Sequence, residues 1–400
     1  MLVSGVPSSS EYLSGKTSLD SHETCAVADF TWAAGYLFMA AGNPKYADAM
    51  ERACLNAGPG AVKKDFKALQ YLSCPNQVLA TTASDHNPFQ RGKNWMAFIP
   101  DHEVQCCPGN VHRFMPNYAA RSWMAVPNGG LAAVFCAPGR VTAAVGRERV
   151  PVTVEVDTQY PFSGRVDLNV RCAHPVRFPL LLRIPGWCRK AQVLLDGRRV
   201  EAAPKAGTFF RLERTFSDSD RITILLPMEL KLNRRPENGV SVEFGPLLYS
   251  LLIAEKWRPA RRSRGKKTRF PGWELKTESP WNYALALKGR KLSEAVKITL
   301  RAVSGFPWAG EAPVKLSVPA RRIRGWKTRK CSSLVRGYPW ATKKRESWAS
   351  PRKAAGRFEF TPALPDAASL RGKLSKNIET VTLVPYGTTH LRITTFPLCR

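Results

Sequence analysis

The residues best placed to do chemistry together are one carboxylate and three thiols. Glu23 and Cys25 lie in SHETC (21–25), and the vicinal pair Cys106 and Cys107 lies in QCCPGN (105–110). Adjacent cysteines seldom bridge to each other, because the small ring strains the peptide bond between them. They are also an awkward origin for two separate bridges. A four-member set of thiolates and a carboxylate is the closed shell that zinc favours. The spacing, however, is one E-x-C and one C-C about 80 residues apart, which matches no common structural zinc module. On the residues alone two readings stay open: a metal site, or buried cysteines with no shared purpose.

Each half of this set stands at the start of a helical pattern. After HETC, Val27, Phe30, Ala34, Leu37, Phe38 and Ala41 recur with a helix period and are expected to point inward. GNP at 42–44 stops that helix, and Pro44 suits the first turn of the next. Tyr46, Ala47, Met50, Ala53, Cys54 and Ala57 form a second apolar stripe. A third helix is expected from about Asn110, with Val111, Phe114, Met115, Tyr118 and Trp123 inward. Free N–H groups at a helix start favour anionic side chains such as Glu23 and a Cys25 thiolate. Pro108 fixes the turn after the cysteine pair, and Gly109 and Asn110 tolerate the angles needed to cap it. Between the helices, residues 58–105 are irregular and rich in Pro, Gly, Asn and Asp, and long loops of that kind are more often functional than idle.

From about residue 130 short strands follow one another. They include RVTAAVG, PVTVEVDT, RVDLNVRC, PLLLRIP, TFFRLER, RITILLP and VSVEFGPLLYSLLI, parted by Gly, Pro and Asp turns. VKITLRAV, VKLSVPARRI and TVTLVPYGTTHLRITTF continue the texture towards the C-terminus. The expected organisation is α+β and multidomain: a helical part at 1–125, an antiparallel β-sandwich at 126–255, and a second β-rich, strongly basic part at 256–400.

Composition narrows the classes. The chain has 400 residues, 44% of them apolar, which is the make-up of a globular protein rather than a disordered one. No apolar run is long enough to span a bilayer, so no membrane partner is expected. The first fifteen residues lack the basic start and apolar core of a secretory signal. Ten cysteines are too few for a disulfide scaffold, and the singly spread ones (Cys54, Cys74, Cys136, Cys172, Cys188, Cys331, Cys399) read as small apolar fillers. Reduced thiols at a metal centre favour a cytoplasmic setting, with export left open.

The net charge is +30, and Lys256 to Arg357 holds 28 Lys/Arg against 5 Asp/Glu. RRSRGKKTR (261–269), RRIRGWKTRK (321–330) and TKKR (342–345) supply most of it. Basic runs interleaved with Trp can bind nucleic acid or acidic glycans through phosphate or carboxylate contacts. A solvated basic face is the weightier reading. No zinc-finger, RNP or helix-turn-helix pattern accompanies the charge, so nucleic acid stays the second choice of partner.

HETCA, CCPGNVHR, TQYPFSGRV, FPLLLRIPGWC, FFRLERTFSDSDRITILLPM, VEFGPLLYSL and VPYGTTHLRITTFP together resemble glycoside hydrolase family 127, which includes the β-L-arabinofuranosidases. The resemblance runs over nearly the whole chain. It implies the C-terminal part of an (α/α)6 barrel followed by β-sandwich domains. It also implies retaining hydrolysis of an L-arabinofuranoside or similar sugar by a zinc-bound cysteine nucleophile. Carried over, the zinc ligands are Glu23, Cys25, Cys106 and Cys107, and Cys106 is the nucleophile. Glu11, shortly before the E-T-C motif, corresponds to the acid/base carboxylate, at a shorter spacing than the arabinofuranosidase branch has. Tyr71 in LQYLS corresponds to a tyrosine near the sugar. Arg113 is expected to brace the loop; for His22, His86, His102 and His112 two readings stand, facing the substrate or, as is usual for a lone histidine beside a loop, structural or exposed. Gly109 departs from the family's CCPPN. A barrel of six helical hairpins needs far more helix than residues 1–125 supply. The chain is therefore expected to be a C-terminal portion or a degenerate relative, poorly folded at its N-terminus and largely inactive alone. The competing reading is a non-catalytic β-sandwich module that binds acidic glycans or nucleic acid.

Overall fold

In the computed structural model, which describes residues 1–9, 13, 15–84, 95–102, 104–260, 269–331, 358–366 and 368–399, helix α1 (Thr24–Ala41) and helix α2 (Pro44–Arg52) meet at a sharp corner. Gly42 makes the corner in the left-handed region at φ 60°, and its N–H bonds the Phe38 carbonyl at 2.8 Å. The Asn43 side chain then accepts from the Lys45 N–H, and Pro44 opens α2 where its missing N–H costs nothing. The chain widens into a π-turn at Ala53–Ala57, with all five residues buried. A Cβ at Gly58 would strike the Phe114 ring and one at Gly60 the Tyr386 ring, so both positions need glycine for close approach.

On α1, Val27, Ala34 and Phe38 are buried as expected, with Ala28, Thr31 and Gly35 beside them. Leu37 and Ala41, expected inward, are exposed instead. The segment FTWAAGYLFMAA is apolar on nearly every side, so period alone cannot select its buried face. Its other face shows Trp32, Tyr36, Leu37 and Met39, each at least 40% exposed. The third helical stretch is broken into Cys106–Asn110, a 3₁₀ turn and Phe114–Ala120. Trp123, expected on that helix, lies half-buried on the strand Trp123–Val126. The described residues contain no (α/α)6 barrel; besides α1, α2 and this broken stretch, their α-helices are the four-residue Gly58–Ala61 and Leu292–Ala295. None of their helices is long and apolar enough to cross a membrane.

Two sheets back the helices. One runs Thr208–Phe216, Val176–Ile184, Gly130–Ala133, Trp123–Val126 in spatial order, with one parallel pairing that sets Leu180 against Leu131. The other has six strands, with Val150–Thr158, Arg165–Cys172 and Arg221–Leu225 at its centre. The period of two assigns the faces: Phe178, Leu180, Leu182, Phe210 and Leu212 join the core shared with the six-stranded sheet. Leu181 and Phe209, between them, pack against α1 and α2. The four-stranded sheet is thus the middle layer between helices and outer sheet.

Arg183 sits on the helix-facing side of that middle layer and is fully buried. Its guanidinium bonds the Asp48 and Glu51 carboxylates of α2 and the Val134 carbonyl. A third sheet of eight strands gathers segments from Leu230 to Pro397. Asn56 clips it to the helices by accepting from the Leu248 N–H at 2.8 Å and donating to the Pro246 carbonyl. Arg52 adds an ion pair to Glu243.

Candidate metal centre

The segment before α1 forms a two-residue strand, β1 (His22–Glu23), which pairs with β2 (Leu72–Ser73) and sets Glu23 opposite Leu72. Thr24 extends the pairing: its N–H bonds the Tyr71 carbonyl at 3.0 Å and its hydroxyl the Gln70 carbonyl at 2.6 Å. This strand-to-helix transition faces Glu23 and Cys25 the same way. On the other side, Cys106 and Cys107 open the helical turn Cys106–Asn110, whose first hydrogen bond runs from Gly109 N–H to Gln105 carbonyl at 2.9 Å. The turn packs on the start of α1, where the Cys25 N–H points at the Cys107 sulfur, 3.4 Å away.

One ligand atom from each of Glu23, Cys25, Cys106 and Cys107 falls within 4.8 Å of every other. Cys25 Sγ is 3.8 Å from Cys106 Sγ, and Cys106 Sγ is 4.0 Å from Cys107 Sγ. Glu23 Oε2 is 3.1 Å from Cys25 Sγ and 3.9 Å from Cys106 Sγ. A tetrahedral shell with sulfurs ~2.3 Å from a metal has sulfur–sulfur edges of about 3.8 Å. The four residues therefore fit a tetrahedral ion in both donor type and spacing. None of the nine cysteines with described side chains is in a disulfide. Cys54, Cys74, Cys136, Cys188 and Cys399 are buried fillers, and Cys172 is half-buried.

The cluster is electrostatically uncomfortable without a cation. The neighbouring Cys107 thiol, burial and the Glu23 carboxylate all push the Cys25 thiol up. Burial pushes Cys106 up as well, opposed by the Tyr71 hydroxyl. A divalent ion reverses that balance, because it stabilises the thiolates it binds.

Three of the four residues are buried, while Cys106 is half-exposed. Its sulfur is 2.9 Å from the Tyr71 hydroxyl, which is 3.4 Å from Glu23 Oε2. Tyr71 itself is buried, its ring against Trp95 at 4.7 Å and the edge of His102 at 5.8 Å. Trp95 carries no motif and lies at the rim of an irregular loop, and no period in the sequence marks it. Burial holds His102 and His22 down at about 4, so both imidazoles are neutral. His102 Nε2 bonds the Leu69 carbonyl, and His22 Nδ1 lies 3.2 Å from the Glu23 carbonyl. His112 is exposed. Arg113 braces the turn as expected, bonding the Asn110 side chain, pairing with Asp29 at 3.3 Å and covering the Trp32 ring.

Glu11 and His86 lie outside the described residues, as do the basic runs 261–268 and 342–345. In the remaining run, 321–330, Arg322 is engaged by Tyr283 and Glu379.

Two family models match the chain: "Beta-L-arabinofuranosidase, GH127 catalytic domain" over residues 8–120, and "Beta-L-arabinofuranosidase, GH127 middle domain" over 134–228. No curated protein matches it. Among solved structures, it is similar to a GH127 β-L-arabinofuranosidase from Geobacillus stearothermophilus T6, with a TM-score of 0.67 at 17% identity over 100% of this chain and 54% of that one. A GH127 β-arabinofuranosidase gives 0.65 at 18% identity over 99% and 53%. A further glycoside hydrolase gives 0.64 at 18% over 96% and 53%. At such identities the likeness is one of fold. The chain spans about half the length of the solved structures it matches.

Proposed function

We propose, for a chain that two GH127 models match in part and that is similar in fold to GH127 structures, that the cluster is the zinc centre of a retaining glycosidase with Cys106 as nucleophile. The observation that carries this reading is the asymmetry of the four ligands. Glu23, Cys25 and Cys107 are buried, while Cys106 alone of the four is half-exposed.

Glu23, Cys25, Cys106 and Cys107 would hold the ion, which when bound keeps the Cys106 sulfur deprotonated near neutral pH. In the first step the Cys106 sulfur forms a bond to the anomeric carbon as the bond to the leaving oxygen breaks. Glu11 gives its proton to that oxygen. In the second step Glu11 takes a proton from water, the water oxygen bonds the anomeric carbon, and the carbon–sulfur bond breaks to return the thiolate. Two inversions give net retention. Tyr71 serves by orienting the Cys106 sulfur through its hydroxyl, with Trp95 and His102 fixing its ring. The sugar is an L-arabinofuranoside or a near relative.

The test is covalent capture. The zinc-loaded chain is treated with an epoxide analogue of β-L-arabinofuranose and its peptides are weighed. The reading expects one adduct, on Cys106, prevented by excess free sugar. An adduct on another residue, or none, refutes it.

A further inference from the structure

The backbone around Tyr71 is tied by buried amide side chains to a strand more than 300 residues away in sequence. Arg392–Ile393 pairs with Asn76–Gln77, setting Arg392 opposite Gln77. The Asn76 side chain tightens the pairing, accepting from the Thr394 and Thr395 N–H groups and donating to the Thr395 carbonyl at 2.9 Å. Gln77 donates to the His390 carbonyl at 2.7 Å and to Gln70 Oε1 at 2.9 Å, and its own oxygen accepts from the Cys74 N–H. We propose that Gln70 and Gln77 are positioning residues through which the strand at 392–393 holds the metal centre in register. The inference rests on the cluster being a metal site.

Gln70, the residue before Tyr71, is a joint between four segments. Its N–H bonds the Ala61 carbonyl at 2.9 Å. Its carbonyl accepts from the Thr24 hydroxyl at 2.6 Å, at the start of the helix that carries Cys25. Its Nε2 donates to the Met96 carbonyl at 2.6 Å, and its Oε1 accepts from Ser73 as well as from Gln77. Met96 follows Trp95, whose carbonyl takes the Tyr71 and Leu72 N–H groups. The segments that bear Glu23 and Cys25, Tyr71, and Trp95 therefore meet at one residue, and Gln77 fastens that residue to His390.

Gln70, Asn76 and Gln77 are each 0% exposed. Buried amides accept only one arrangement of partners, because a shift strands the group opposite at the cost of a lost hydrogen bond. An apolar side chain could fill the same space without specifying that arrangement. A metal-binding constellation has to be held within about 0.5 Å of its working geometry, and these amides supply such a constraint to the two residues flanking Thr24 and to the Tyr71 hydroxyl beside Cys106.

Thermodynamic coupling is reciprocal, so the first test needs no variant. Amide hydrogen exchange of the full chain is followed by mass spectrometry with and without zinc. Zinc should slow exchange in 389–396 more than in the outer-sheet strand Val150–Thr158; equal slowing in the two overturns the proposal. Zinc affinity is then measured by competition with a chromophoric chelator. Gln70→Leu and Gln77→Leu should each weaken it about tenfold or more. Asn56→Leu, which removes the buried amide clipping the helices to the third sheet, should lower the urea midpoint and leave zinc affinity unchanged. Unchanged affinity in either glutamine variant, or the same loss in Asn56→Leu, overturns the proposal. A third arm stands apart from the metal. In the zinc-free chain Gln77→Leu should speed exchange at the Tyr71 and Leu72 amides, even if the wild type takes up no zinc and the metal reading itself fails. No change there overturns the positioning role.

Discussion

The hydroxyl of Tyr71 lies 2.9 Å from the sulfur of Cys106, closer than any of the three residues grouped with that sulfur. Tyr71 reaches this position because its carbonyl anchors the Thr24 N–H and its N–H bonds the Trp95 carbonyl. The same two residues of backbone thus align the helix that carries Cys25 and the ring that steers Cys106. The cluster is a product of strand pairing as much as of its ligands.

That geometry predicts an order of reactivity. Cys106 is half-exposed, whereas Cys25 and Cys107 are buried. With limiting iodoacetamide on the metal-free chain, mass spectrometry should find Cys106 alkylated before the other two. Prior addition of zinc should protect it. Equal labelling of all three would remove the structural asymmetry on which the nucleophile assignment rests.

Arg183 should be among the costliest single positions outside the centre. Burial pushes the Glu51 carboxyl up, against the pull of the guanidinium, so removing Arg183 strands Glu51 and Asp48. Arg183→Met is expected to lose about 3–5 kcal/mol in urea unfolding. Restoring neutrality with Glu51→Gln in the same chain should recover part of that loss.

Gly109 offers a change in the opposite direction. It lies in a helical turn, a Cβ there meets nothing within 4 Å, and its N–H makes the first hydrogen bond of the turn. Gly109→Ala keeps that bond and trims the freedom of the unfolded chain. The expected gain is about 0.5–1 kcal/mol, with zinc content unchanged. A loss of stability would mean that the backbone needs glycine after all.

Acid sensitivity follows from three buried imidazoles. Burial holds His22, His102 and His390 down at about 4, with Lys64 and Arg392 adding to the effect at His390 and Glu255 opposing it. In the unfolded chain all three return to about 6.5. Between those values the unfolded state binds more protons than the folded one, so stability falls as pH drops. It is whole above about 6.5 and declines by up to about 1.4 kcal/mol per pH unit for each histidine on the way to about 4. Urea midpoints measured across that range should trace the decline, and His102→Gln should make it shallower. A flat profile in the wild type would contradict the burial of all three rings.

That Glu23 and Cys25 belong with Cys106 and Cys107 came from the family resemblance, while the strands and the cysteine pair could be read from the sequence because each has a local signature: alternation, turn residues, or adjacency. What joins them could not. The apolar band of α1 covers nearly the whole helix, so nothing local told Leu37 from Phe38. The parallel pairing of Leu180 with Leu131 and the sheet that unites Leu230 with Pro397 depend on contacts far apart in sequence. Trp95, Gln70 and Gln77 are isolated residues in linear order and acquire meaning only where the fold brings their surroundings together.

The central claim is best tested by zinc K-edge X-ray absorption on the purified, zinc-loaded chain. The account predicts about one zinc per chain with three sulfur neighbours at about 2.3 Å and one oxygen at about 2.0–2.2 Å, and one sulfur fewer in Cys107→Ser. A shell of nitrogen and oxygen only, or a chain that takes up no zinc, would contradict it.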